Sequence, residues 1–253
     1  MIHKIILILG SAFTMGSVMA ASSGDIFPNY HFEVEITDQP SLQRGAKLFM
    51  NYCAGCHSLE LQRYNRTFKD LGIDPEIGSE NLIFTGAKEV ERMHNSLSVA
   101  DGTKWFGSAP PDLSVTARAK GGDYIYNYLQ GFYVDDSRPL GFNNTVFPGA
   151  SMPNPLWQLQ GLQKPVIEEH EHCNSTGECE TNTKIVGFEK LTEGTLNDLG
   201  YQRVASDLTN FLVYVSDPSA LQRLAMGPWV LLFLALLTVL FYFLKREFWR
   251  DIH

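Results

Sequence analysis

Basic residues are in short supply in this chain of 253 residues: 20 Lys and Arg stand against 28 Asp and Glu, a formal net charge of −8. The deficit deepens once the two ends are set aside. Lys4 is the one charged side chain in residues 1–20, and Lys245, Arg246 and Arg250 face Glu247 and Asp251 at the far end. Between them lie 16 basic and 26 acidic residues, a net of −10. A protein that tracks phosphate backbones needs a basic face, so nucleic-acid binding is a poor fit. An acidic body suits a cationic partner, or solubility alone. Charged residues make up only 19% against 44% hydrophobic, which excludes a disordered chain. Internal repeats and low-complexity segments are absent, and the length allows one large domain or two small ones. Cysteine is scarce: four residues in two close pairs, Cys53 with Cys56 and Cys173 with Cys179.

Charge is missing altogether from Leu224 to Leu244. A helix of that length at ~1.5 Å per residue spans about 31 Å, the thickness of a bilayer core. No polar face interrupts it, which argues against a buried core helix, so residues 223–246 are expected to cross a membrane. Pro228 falls where a first helical turn tolerates proline, and Trp229, Tyr242 and Trp249 suit the two interfaces. Arg223 lies on one side; Lys245, Arg246 and Arg250 on the other put residues 247–253 in the cytoplasm. The N-terminus predicts the same topology. Lys4, the apolar run Ile5 to Phe13 and the small-residue site Val18-Met19-Ala20 form a secretory leader, residues 1–20. That run is too short to cross ~30 Å of hydrocarbon as an anchor. Residues 21–222 would then occupy an oxidising compartment.

Chemistry concentrates in Ser41 to Ser58. Ser41 is a possible helix cap. Leu42, Ala46, Phe49 and Cys53 recur at helical spacing, so a helix leads into Cys53-Ala-Gly-Cys56-His57. This is the attachment pattern of a c-type haem. Two thiols three positions apart can reach both vinyl groups on one porphyrin edge, and His57 then falls at the iron. Its other ring nitrogen should donate to a backbone carbonyl. A redox dithiol is the first rival, but that motif usually opens a helix after a strand. Half of a zinc site is the second, but no further Cys-x-x-Cys or His pair sits at the usual distance.

A sixth ligand follows by elimination among seven methionines. Met1, Met15 and Met19 leave with the leader, Met226 lies at the membrane edge, and Met50 is one turn before Cys53. Met93 sits in a polar stretch expected to be helical. Met152 sits in Phe147-Pro-Gly-Ala-Ser-Met152-Pro-Asn-Pro-Leu156, a proline-stiffened loop suited to meeting iron at a fixed distance. Core filling is the competing role for any methionine. Given a haem, Met152 is the expected ligand, and His–Met ligation fills both axial positions.

These segments resemble the cytochrome c1 family, the haem subunit of quinol–cytochrome c oxidoreductase (the cytochrome bc1 complex). The likeness runs from about Phe27 to the C-terminus. It rests on Arg44-Gly45 with the Cys53–Ser58 motif, on Ala109-Pro-Pro-Asp through Asp123-Tyr124, on the Met152 loop, and on Ala205-Ser-Asp-Leu-Thr-Asn-Phe-Leu before one C-terminal span. The resemblance implies that Cys53 and Cys56 hold one haem c while His57 and Met152 bind its iron. It puts Pro110 and Pro111 against the histidine side and Arg118 near the propionates, where a guanidinium offsets carboxylate charge. Lys120 stands where the family usually has a second arginine. Tyr124 and Tyr126 reach a propionate or pack in the core. The implied partners are cytochrome b, a Rieske iron–sulfur protein as donor, a soluble or tethered cytochrome c as acceptor, and membrane lipid. The implied location is the bacterial inner membrane with the haem domain periplasmic. The competing function is a membrane-anchored haem enzyme of peroxidase or nitrite-reducing type with an open iron site.

The second cysteine pair lies in a polar insertion, Glu168 to Cys179. In an oxidising space the plain reading is a Cys173–Cys179 disulfide, worth about 2 kcal/mol for so short a ring, and some bacterial relatives resemble this. It is expected to stiffen the Met152 loop. The rival is a metal site from His170, His172, Cys173 and Cys179. Elsewhere, residues 66–112 are expected to be loops with one short helix near Lys88 to Asn95. Tyr124 to Gly131 reads as a helix and residues 132–190 as loop-rich. Thr195 to Val215 reads as an amphipathic helix burying Leu196, Leu199, Val204, Leu208, Phe211, Leu212 and Val215, ended by Asp217-Pro218. The predicted fold is mostly α: a c-type cytochrome domain wrapped around one haem, with a single C-terminal transmembrane helix.

Overall fold

The computed structural model describes residues 27–173 and 179–250; for 170–173 and 179–182 it describes the backbone alone. The expected leader lies outside the described residues.

The frame is a pair of crossing helices, α1 (Gln39–Tyr52) and the longer α8 (Asp198–Ser216). Asp38, not Ser41, caps α1: its carboxylate accepts from the Ser41 backbone N–H. Ser41 is instead buried and donates its hydroxyl to Asp207 at 2.7 Å. Leu42, Gly45, Ala46, Phe49 and Met50 form the buried stripe of α1. The helices meet at Gly45, where an added Cβ would lie 2.1 Å from the Asp207 carbonyl oxygen and 2.6 Å from Phe211 Cβ. Arg44 clamps the same spot, its Nε and Nη2 reaching the two Asp207 carboxylate oxygens at 2.7 and 2.8 Å. Asn210 completes the network, donating to Ser41 Oγ and accepting from the Glu35 N–H.

α8 starts at Asp198, capped by the Asn197 side chain, later than the apolar spacing predicts. Leu199 is 76% exposed, because it lies in the first turn before the helix reaches its partner. Tyr201, Ala205, Leu208, Phe211, Leu212 and Val215 are buried as a helical stripe requires.

Residues 66–112 are more ordered than their polar composition suggests. α2 (Tyr64–Leu71), α3 (Pro75–Leu82) and α4 (Val99–Phe106) are short helices, α3 and α4 capped by Asp74 and Ser98. The helix expected near Lys88 to Asn95 does not form. A two-residue strand, β2 (Arg92–Met93), pairs there with β1 (Leu59–Arg63), which buries Met93 in the core. Next come α5 (Thr116–Lys120), α6 (Gly122–Gln130), the ladder of β3 (Phe132–Val134) with β4 (Phe142–Asn144), and α7 (Trp157–Gln160).

The segment expected to be loop-rich holds the longest strands. β5 (Gln163–Cys173) and β6 (Cys179–Lys190) form one antiparallel hairpin, Gln163 opposite Lys190 at the root and Cys173 opposite Cys179 at the tip. Its Glu and Lys content hides the strand signal. Gln163 roots it, donating to the carbonyls of Gln130 and Phe132, and Phe188 packs edge-on against Phe27.

After α8, three residues separate it from α9 (Ala220–Phe248), 29 residues long with none buried. Among the described residues it is the one helix long and apolar enough to cross a membrane. It begins earlier than expected, so Pro228 lies inside it rather than in its first turn. Arg223 pairs with Asp217 through two hydrogen bonds, which hold that carboxylate well below its usual range and brace the junction.

Candidate functional site

One apolar cavity of about 520 Å³ opens between these elements, inside the roughly 300–1,000 Å³ range of ligand pockets. The end of α1 supplies one wall. The Cys53 and Ala54 N–H groups both donate to Phe49 O, and the Cys56 and His57 N–H groups both donate to Cys53 O. The five-residue motif is therefore one tight turn continuing α1, and it presents Cys53, Cys56 and His57 to the same cavity. Both thiols are free. Burial pushes the Cys53 thiol up to about 12 and the His57 imidazole down from its usual value.

His57 Nδ1 lies 2.7 Å from the Pro111 carbonyl oxygen. A carbonyl only accepts, so Nδ1 carries the proton and Nε2 keeps a lone pair to donate to a metal. Pro110 and Pro111 line the cavity beside it. Their segment is tied to the motif strand: the Leu113 N–H donates to Ser58 O, and Asp112 accepts from the Glu60 N–H. Asn95 donates its side-chain amide to Cys56 O.

Met152 lines the same cavity and is half-buried. Met93 and Met50, both buried in the core, do not line it. The Met152 loop is held less by its prolines than by amides. Asn144, fully buried, donates to Tyr128 O and accepts from the Val146 and Phe147 N–H groups. Asn143 accepts from the Gly149 N–H, and Arg138 donates to Gly149 O. Beyond the methionine, Asn154 accepts from the Leu156 N–H and donates to Gln160. These asparagines lie in a segment that the sequence marks only as loop-rich. Tyr128, also unsingled by the sequence, donates its hydroxyl to Met152 Sδ at 3.5 Å.

Other expected residues divide. Lys120 and Tyr124 line the cavity, the ammonium 5.4 Å from the ring centroid of Tyr124. Arg118 does not: its side chain is 72% exposed and lies 3.9 Å from Asp217. Tyr126 turns away as well, stacking on Phe32 at 4.9 Å. It shares α6 with Tyr124 and Tyr128, but a two-residue step puts it on another helix face.

The donor set fits a covalently held haem. Two free thiols, a nitrogen with its lone pair available and a thioether converge on one apolar chamber, and the described residues contain no cluster of His, Cys, Asp or Glu suited to a bare metal ion. The Cytochrome C1 family model matches residues 30–163 and 187–252. The chain belongs to the cytochrome c1 family. A cytochrome c1 from Allochromatium vinosum is 42% identical, over 99% of this chain and all of that one. The ammonia monooxygenase gamma subunit of Nitrosomonas europaea is 39% identical over 99% of this chain and all of its own length. A cytochrome c1 from Rhodospirillum rubrum is 26% identical over 85% and 83%. Cytochrome c1 proteins carry covalent haem c and serve as the haem electron-transfer subunit of a bc1-type complex. Cys53 and Cys56 are the candidate attachment residues here. The interval that the family model passes over, residues 164–186, is nearly all of the β5–β6 hairpin.

Proposed function

We propose that this chain relays single electrons from a Rieske iron–sulfur protein to a soluble or tethered cytochrome c, within one membrane complex that also holds cytochrome b. Haem c bonded to Cys53 and Cys56 supplies a one-electron carrier at this site. His57 and Met152 are the residues that would bind its iron, and the observation that carries the reading is their convergence on one cavity. His57 is kept in the ligating tautomer by Pro111. Lys120 and Tyr124 are the polar groups available to propionate carboxylates; Arg118 sits too far out to serve that role unaided. The net charge of −10 between residues 21 and 223 suits a basic acceptor, whose attraction would weaken with salt.

The haem domain is proposed to be periplasmic on the bacterial inner membrane. Residues 1–20 are a cleaved leader, α9 is the anchor and residues 247–253 are cytoplasmic. Cys173 and Cys179 are proposed to form a disulfide. Residues directly opposed in antiparallel strands have Cα atoms about 4.5–5.5 Å apart, within disulfide reach. At ~3.3 Å per residue the pair lies roughly 33 Å along the hairpin from its root, so the bond would close the hairpin tip and leave the Met152 loop to its asparagines. The rival metal set of His170, His172, Cys173 and Cys179 would draw on the same end of the hairpin.

A haem enzyme with an open iron position is the second reading, favoured by the likeness to a chain named as a monooxygenase subunit. Added carbon monoxide or cyanide separates the two. A relay with both axial positions filled gives an unchanged visible spectrum at moderate ligand concentration; prompt spectral change with either ligand contradicts it.

A further inference from the structure

Tyr128 touches the Met152 loop twice. Its carbonyl accepts from the Asn144 amide, whose oxygen in turn caps Val146 and Phe147 at the start of the loop. Its hydroxyl donates to Met152 Sδ at 3.5 Å, and both residues line the cavity. The ring has little freedom to do otherwise. It stacks on Tyr124 one turn earlier, centroids 6.0 Å apart at 14°, and meets Phe132 edge-on at 5.1 Å. A thioether sulfur has two lone pairs. When one is given to a metal, the other remains for an O–H donor, and that hydrogen bond makes the sulfur a poorer electron donor.

We propose that Tyr128 is a positioning residue for the Met152 sulfur: its hydroxyl holds the thioether in the cavity and, by drawing on the second lone pair, favours the reduced state of the iron. The proposal deepens the ligand reading above and rests on Met152 being the ligand. Neither the cysteine–histidine motif nor the proline loop carries it; it comes from a tyrosine that helical spacing alone marks as core filler.

The test is redox titration of the full-length, haem-loaded protein in membranes, comparing wild type, Tyr128→Phe and Met152→Leu. Phe keeps the stacked ring and deletes one hydroxyl. At a fixed ambient potential Tyr128→Phe should lower the ratio of reduced to oxidised haem about three-fold, a fraction of what one hydrogen bond is worth. It should also shift, without abolishing, the weak red sulfur-to-ferric-iron absorption band. An unchanged potential and band in Tyr128→Phe, while Met152→Leu alters both, overturns the proposal and leaves the ligand reading intact. An unaltered Met152→Leu overturns the ligand reading, and the proposal with it. Should Tyr128→Phe fail to accumulate with haem, proton NMR of the reduced wild type decides the matter. A slowly exchanging tyrosine hydroxyl with an Overhauser contact to the Met152 methyl supports the proposal, and its absence overturns it.

Discussion

The two sides of the cavity are built in opposite ways. On the histidine side, Cys53, Cys56 and His57 arrive in one turn that continues a core helix, and a single carbonyl, Pro111 O, orients the imidazole. On the methionine side, Met152 arrives on an irregular loop held by side-chain amides from Asn143, Asn144 and Asn154 and by Arg138. The first arrangement makes covalent attachment geometry a property of local sequence. The second would make the proposed ligation a property of tertiary contacts, tuned separately. Loss of the methionine side should therefore leave haem attached but altered, whereas loss of the histidine side's support should lower both stability and the yield of attached haem.

The largest effect should come from Gly45→Ala, which attacks the histidine side through its foundation. The new methyl would sit against the Asp207 backbone at the α1–α8 crossing, and neither helix can yield without moving Cys53 or the Arg44–Asp207 clamp. A loss of about 3 kcal/mol is expected, seen as a melting temperature roughly 10 °C lower and a reduced yield of attached haem. Asn144→Ala attacks the methionine side instead. It strands a buried carbonyl and two N–H groups, worth about 1–3 kcal/mol. Haem attachment should survive while the red methionine-to-iron band weakens and carbon monoxide gains access. Equal loss of attached haem in both variants would erase the distinction between the sides.

A smaller effect is expected where neither side is touched. Replacing both Cys173 and Cys179 by Ser should cost at most about 2 kcal/mol, felt at the hairpin tip as faster proteolytic nicking between the two positions. The reduction potential should not move, because the asparagines rather than the tip hold the Met152 loop. A changed potential would mean that the hairpin reaches the iron ligand after all.

The same contrast explains what could be read in advance. The attachment motif is legible because its chemistry demands contiguous residues, and the place of Met152 at the cavity because prolines flag a stiff loop and elimination removes its rivals. Helices α6 and α8 follow from apolar periodicity, and α9 from an unbroken uncharged run. The amide scaffold escapes notice because Asn143 and Asn144 have the composition of any surface turn; only the fold buries Asn144. Strands β5 and β6 are hidden by their charged residues, since a two-stranded hairpin whose described side chains are mostly exposed or half-buried does not need strict alternation. Met93 looks helical among polar neighbours, yet its two-residue strand is dictated by pairing with Leu59 across the core. Arg118 and Tyr126 show the limit of family analogy: short helices α5 and α6 turn one toward Asp217 and the other toward Phe32, while Lys120 and Tyr124 take the cavity.

The most direct measurement is the visible spectrum and midpoint potential of Met152→Leu beside Met93→Leu in the membrane-bound, haem-loaded protein. Met152→Leu should lose the red band, fall in potential and bind carbon monoxide, with Met93→Leu indistinguishable from wild type in all three. Retention of the wild-type band and potential in Met152→Leu would contradict the assignment of the cavity's second wall and the relay built upon it.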